Sequence, residues 1–87
     1  MISASCITLS ILAEDIAETT NDEVVLRELA TDPKVFIRAC AAKNVHTPAD
    51  VLKVLSNDPK RPVLKAVMKN TSAPVGTRIM AFLRYYS

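Results

Sequence analysis

Glycine is almost missing from this chain: Gly76 stands alone among 87 residues. Tight turns between short strands draw heavily on glycine. Its scarcity argues against an all-β fold and for helices punctuated by Pro, Asn, Asp and Thr. Tryptophan is absent and aromatics make up only 5% of the residues, so the core must be aliphatic and rich in alanine. The two cysteines, Cys6 and Cys40, lie 34 positions apart. No C-x-x-C pair exists, which argues against a zinc or iron–sulfur site built within one chain, and Cys40 reads as a small buried hydrophobe. No apolar run approaches the roughly 18 residues of a membrane-spanning helix. The opening MISASCITLSILA lacks a basic start and runs directly into the acidic EDIAE, so it is not read as a signal peptide. A reduced, cytoplasmic protein is the expectation.

Catalytic motifs are lacking as well. There is no glycine-rich phosphate loop, no zinc motif and no serine-centred elbow. His46 is the only histidine and falls in a loop. Glu14 and Glu18 are one helical turn apart, but such a pair is ordinarily a solvated face. The expectation is a protein without enzymatic activity, cofactor or metal.

What the chain does contain is apolar content sufficient to fold, at 49%, and an uneven charge. The net charge is +2, yet residues 1–32 hold seven acids and one base, and residues 33–87 hold two acids and ten bases. One end should be acidic and the other basic.

It also contains a repeat. LATDPKVFIRACAAKN at 29–44 returns as LSNDPKRPVLKAVMKN at 55–70. At a shift of 26, Leu29, Asp32, Pro33, Lys34, Lys43, Asn44 and Pro48 meet identical residues at 55, 58, 59, 60, 69, 70 and 74. Moving back by the same step lays Val25–Leu29 over Val51–Leu55, Ile11 over Ile37 and Ala13 over Ala39. A period of this size signals stacked supersecondary units. The chain therefore reads as one domain, 1–87, with a degenerate first unit at 1–28 and better-matched units at 29–54 and 55–83.

Each unit splits into two helices. Asp-Pro suits a helix start, with Asp as cap and Pro in the first turn. Phe36, Ile37, Cys40 and Ala41 then share one helical face, and Asn44 closes the helix in the left-handed conformation that asparagine tolerates. Thr47-Pro48 opens the second helix, and Pro74 reuses the pattern behind Ser72-Ala73. Helices are expected near 5–18, 21–30, 33–43, 48–56, 59–70 and 74–85.

The string L-x-x-D-P with a following helix, closing Asn and later Pro resembles the leucine-rich repeat variant family, within the HEAT-like α-helical repeats. It is carried by Leu29, Asp32, Pro33, Ile37, Arg38, Ala42, Asn44, Thr47, Pro48 and Leu52, and again by Leu55, Asp58, Pro59, Val63, Met68, Asn70 and Pro74. The match covers residues 25–83 well and 1–24 weakly. Leu64 stands where that family usually has Arg, and Val45-His46 replace its usual Pro. The resemblance implies an all-α, short right-handed α-solenoid of about three helix pairs, six helices in all, and a binding role without catalysis.

Function then rests on surfaces. Lys34, Arg38, Lys60 and Arg61 stand near helix starts, and equivalent residues of stacked units form rows. Arg78, Phe82, Tyr85 and Tyr86 mark the last helix, which ends apolar and aromatic. These eight residues are the candidate partner-binding set. The expected role is a protein–protein interaction module, a small adaptor or an inhibitor that occludes a partner's surface. Binding of nucleic acid through the basic half is the alternative. No membrane partner is expected, and the opposite charge of the two ends allows a homodimer.

Overall fold

A computed structural model describes residues 16–87. The expected first helix from residue 5, Cys6, the Glu14 end of the acidic pair and the Ile11 and Ala13 alignments lie outside the described residues. Residues 16–19 are helical. Five further helices follow: α1 Glu23–Leu29, α2 Val35–Lys43, α3 Ala49–Leu55, α4 Arg61–Lys69 and α5 Val75–Tyr85. The chain is all-α, and no strand occurs among the described residues. Their principal extents are 45 × 27 × 16 Å.

The helices are short, so packing and not propensity must hold them. α2 and α4 pack most extensively on each other, and α4 packs nearly as closely on α5. α2 offers Ile37, Ala41 and Ala42, and the small side chains of the two alanines let the neighbouring backbone approach. α4 answers with Val63, Leu64, Ala66 and Val67. Leu26, Val51, Leu52, Leu55 and Ala81 complete one continuous aliphatic core. Each fully buried Leu, Ile or Val contributes about 1.5–3 kcal/mol relative to exposure.

Local geometry repeats at 26 residues. Asp32 Oδ1 accepts from the backbone N–H of Lys34 at 2.8 Å, and Asp58 Oδ1 from that of Lys60 at 2.9 Å. The turn corrects the expected helix starts. Lys34 and Lys60 are extended and occupy the cap position, so both helices begin just after the Asp-Pro-Lys triplet and Pro lies outside them. Pro62 falls within the first turn of α4, where its missing N–H costs nothing. Thr47 does not cap as an acceptor. Its hydroxyl donates back to Ala41 O at 2.5 Å, and Pro48 and Pro74 are themselves the residues ahead of α3 and α5.

Asparagine closes α2 and α4 differently from expectation. Asn44 has φ −69° and ψ 123°, and Asn70 φ −78° and ψ 109°. No residue has positive φ among the described residues. The side chains do the work instead. Asn44 Nδ2 donates to Ala17 O at 2.9 Å and Thr20 O at 2.7 Å, while its Oδ1 accepts from His46 N–H at 2.8 Å. Asn70 Nδ2 donates to Ala42 O at 2.8 Å and Asn44 O at 3.1 Å, while its Oδ1 accepts from Ser72 N–H at 2.8 Å. Both asparagines are buried. Thr20 holds the corresponding place in the first unit: its Oγ1 accepts from Asp22 N–H at 3.1 Å. The turn that follows it is two residues shorter than the turn after Asn44, so the 26-residue register does not run unbroken into the first unit.

Candidate binding surfaces

Among the residues expected to form one basic row, Arg38 is held in an ion pair. Its Nε donates to Asp58 Oδ2 at 2.8 Å and its Nη2 to Asp58 Oδ1 at 3.3 Å, and its Nη1 donates to the carbonyls of Asp32 and Pro33. The two side chains are 14% and 8% exposed. Such a two-pronged, well-hydrogen-bonded pair fixes one turn against the next and engages all three guanidinium nitrogens. Lys34 and Lys60 are exposed at equivalent cap positions ahead of α2 and α4.

Arg61 lies over the Tyr85 ring, 5.7 Å from its centroid, a cation–π contact that ties the start of α4 to the end of α5. Tyr85 is half-buried against the core, whereas Tyr86 and Phe82 are exposed. Tyr86 touches both rings, with centroids 4.8 Å from Tyr85 and 4.9 Å from Phe82. The aromatic end therefore divides: one ring turns inward and two face outward.

On α5 the exposed apolar residues Val75, Ile79, Phe82, Leu83 and Tyr86 follow helical spacing and form one stripe. An open groove of about 370 Å³ runs beside it, lined by Met68, Val75, Arg78, Ile79 and Phe82. Arg78 is half-buried, and its Nε is buried without a hydrogen-bond partner among the described residues. Leu52 occupies the matching position one unit earlier and is fully buried.

A second groove, of about 310 Å³, lies between α2 and α4 and was not anticipated. Phe36, Ala39, Lys43, Pro62, Lys65, Ala66 and Lys69 line it. Phe36 is 69% exposed, the one large apolar side chain on α2 that is exposed. Lys43, Lys65 and Lys69 have no ion-pair partner among the described residues. No acid lines this groove. The repeat carried a signal for it, since Lys43 and Lys69 are equivalent positions, but sequence alone did not place Phe36 and Lys65 beside them.

A third, smaller depression of about 200 Å³ separates α1 and α3 and is lined by Arg27, Ala30, Thr31, Asp50, Val51 and Val54. Arg27 and Asp50 bridge it with contacts of 2.6 and 3.2 Å. The hydrogen bond from Arg27 holds the Asp50 carboxyl below its usual range, and Asp50 in turn raises the Arg27 guanidinium. Both side chains are open to solvent, so the pair aligns the helices more than it stabilises them.

Cys40 is half-buried, more open than a core cysteine, and its Sγ lies 3.6 Å from Glu18 Oε1. His46 is exposed in its loop. No group of three or more His, Cys, Asp or Glu side chains is arranged to hold a metal among the described residues. No helix among them is long and apolar enough to cross a membrane. Comparison of the chain with family models, with curated proteins and with solved structures finds no match.

Proposed function

We propose that this chain is a short right-handed α-solenoid of about three helix pairs, of the leucine-rich repeat variant kind, that binds a protein partner and carries out no catalysis. The hydrogen bonds of Asp32 and Asp58, and those of Asn44 and Asn70, recur one unit apart and support the repeat reading. The observation that carries the binding role is the groove between α2 and α4, where three unpaired lysines flank an exposed phenylalanine. That combination suits an acidic segment with one apolar anchor: carboxylates meet the lysines at the rim, and the anchor packs on Phe36 and Pro62. Occupying a partner's acidic segment fits an adaptor or inhibitor working in the cytoplasm.

The same lysines favour a second reading, a nucleic-acid backbone. A labelled glutamate-rich peptide with a single central leucine and an arbitrary DNA duplex separate the two. The expected result is peptide binding that falls about tenfold in Lys65→Glu/Lys69→Glu, on the order of 0.7 kcal/mol for each reversed charge, and that also weakens in Phe36→Ala. Preference for the duplex, with Phe36→Ala without effect, would transfer the groove to nucleic acid. Binding of neither probe would refute the groove as a site.

A further inference from the structure

We infer that the open end formed by α4 and α5 docks the acidic first unit of a second copy of this chain, so that molecules join head to tail. The inference uses the repeat register proposed above but not the lysine groove.

The open groove lined by Met68, Arg78 and Phe82 corresponds, 26 residues earlier, to Ala42, Leu52 and Ser56. Those three residues are 0%, 0% and 1% exposed, and Asn70 of the following unit reaches over Ala42. Phe82 is 49% exposed. The other two groove residues, Val75 and Ile79, correspond to Ala49 and Lys53, which are exposed, so α5 leaves uncovered the inner part of a face that one unit earlier is closed over Ala42, Leu52 and Ser56. What covers it must offer what a following unit offers.

The depression between α1 and α3 shows what that is. There, Arg27, Ala30 and Thr31 of one unit face Asp50, Val51 and Val54 of the next. Two steps of the repeat carry Arg27, Ala30 and Thr31 to Ile79, Phe82 and Leu83, the centre of the apolar stripe. One step back carries Asp50, Val51 and Val54 to Val24, Val25 and Glu28. Val24 and Glu28 are exposed and Val25 half-buried, on the chain's opposite end. A second copy therefore already holds, in the right register, an apolar pair and a carboxylate to lay on the stripe.

Charge agrees with this choice of occupant. Residues 59–87 contain six bases and no Asp or Glu, whereas residues 16–32 carry five acids and one base. Two α5 stripes facing one another would bring bases together instead. Glu28 is the carboxylate that the register brings to the stripe, and Arg78, whose Nε has no hydrogen-bond partner among the described residues, borders that stripe. An interface of two different surfaces leaves one of each open at the ends, so growth does not stop at a dimer.

The test is analytical ultracentrifugation of the 87-residue chain over a concentration series at low and moderate salt. Two variants block one end each: Ile79→Glu/Phe82→Glu the tail, Val24→Lys/Glu28→Lys the head. All four positions lie on the surface, and circular dichroism verifies that both variants fold. The expected result is wild-type species larger than a dimer that shrink as salt rises, monomers from each variant alone, and a discrete one-to-one dimer when the two are mixed. A wild-type chain that stays monomeric at all concentrations would overturn the inference. So would a mixture that forms no dimer, or a head-blocked variant that dimerises alone, which would show α5 pairing with α5. Peptide binding to the lysine groove, measured on the same variants, keeps a failure here distinct from a failure of the binding role.

Discussion

Replacing Asn70 by alanine is expected to cost this protein a large share of its stability, although Asn70 touches no ligand and no charged group. Its side chain makes three hydrogen bonds at a site 3% exposed. Asn44 O would survive the loss, because it also accepts from Thr47 N–H at 3.1 Å. Ala42 O and Ser72 N–H have no other partner among the described residues. A buried polar group left unpaired costs about 1–3 kcal/mol. Ala42 O sits deep and takes the full penalty, while Ser72 is exposed and water recovers part of its share. The expected loss is about 2–4 kcal/mol. A domain of this length holds roughly 4–13 kcal/mol in total, and the midpoint of thermal unfolding should fall by on the order of 10–30 °C. Urea and thermal melts followed by far-UV circular dichroism read both quantities. Asn70→Asp keeps the acceptor but aims a carboxylate at two carbonyl oxygens, so it should be worse than alanine at neutral pH. The folded protein would hold that carboxyl above its unfolded pKa, and the variant should regain stability as pH falls through the raised value. Asn57→Ala is the control, since its contacts to Lys53 O and Arg84 are exposed; a loss under about 1 kcal/mol is expected. An Asn70→Ala variant within about 0.5 kcal/mol of wild type, or as mild as Asn57→Ala, would refute the clasp.

Three further outcomes follow from other parts of the fold. Arg38→Met strands the Asp58 carboxylate at 8% exposure, and a loss of about 2–4 kcal/mol is expected in urea melts. Asp58→Ala should do similar damage, and the double variant should recover part of it. Gly76→Ala adds a methyl that meets nothing within 4 Å in the first turn of α5, so a gain of about 0.5 kcal/mol is expected. Arg27→Gln should leave the melting midpoint near neutral pH little changed. The Asp50 carboxyl is held below its unfolded value, so whatever the pair contributes is fully present above that value and fades as pH falls through the lower, folded one. Melts of wild type and Arg27→Gln should therefore converge in acid.

The helical class, the punctuation between helices and most boundaries could be read from the chain, because they depend on neighbours in sequence. Asp-Pro-Lys and Asn announced the ends of helices, though not how they end them. The aspartates bond two residues forward and keep Pro outside the helix, and the asparagines reach across to another unit in place of adopting a left-handed turn. The candidate surface was less legible, since it depends on where helices cross. Arg38 looked like one base among several. Its commitment follows from Asp58, twenty residues away. Lys65 aligns with Ala39, so nothing in the repeat marked it, yet both line one groove with Phe36. In the first unit Thr20 does the work of an asparagine behind a shortened turn, and a fixed shift along the sequence passes over it.

The asparagine clasps have a direction. Asn44 reaches back to Ala17 and Thr20, and Asn70 back to Ala42 and Asn44. In both, the side-chain amide comes later in the chain than the carbonyls it seizes. A chain emerging from the ribosome therefore meets each asparagine only after its anchor points have been synthesised. Every segment can latch onto finished structure as it appears, and assembly can follow the order of translation. Arg38 runs the other way: until Asp58 is made, the carbonyls of Asp32 and Pro33 are its only anchorage, and closing that ion pair marks the arrival of the next segment.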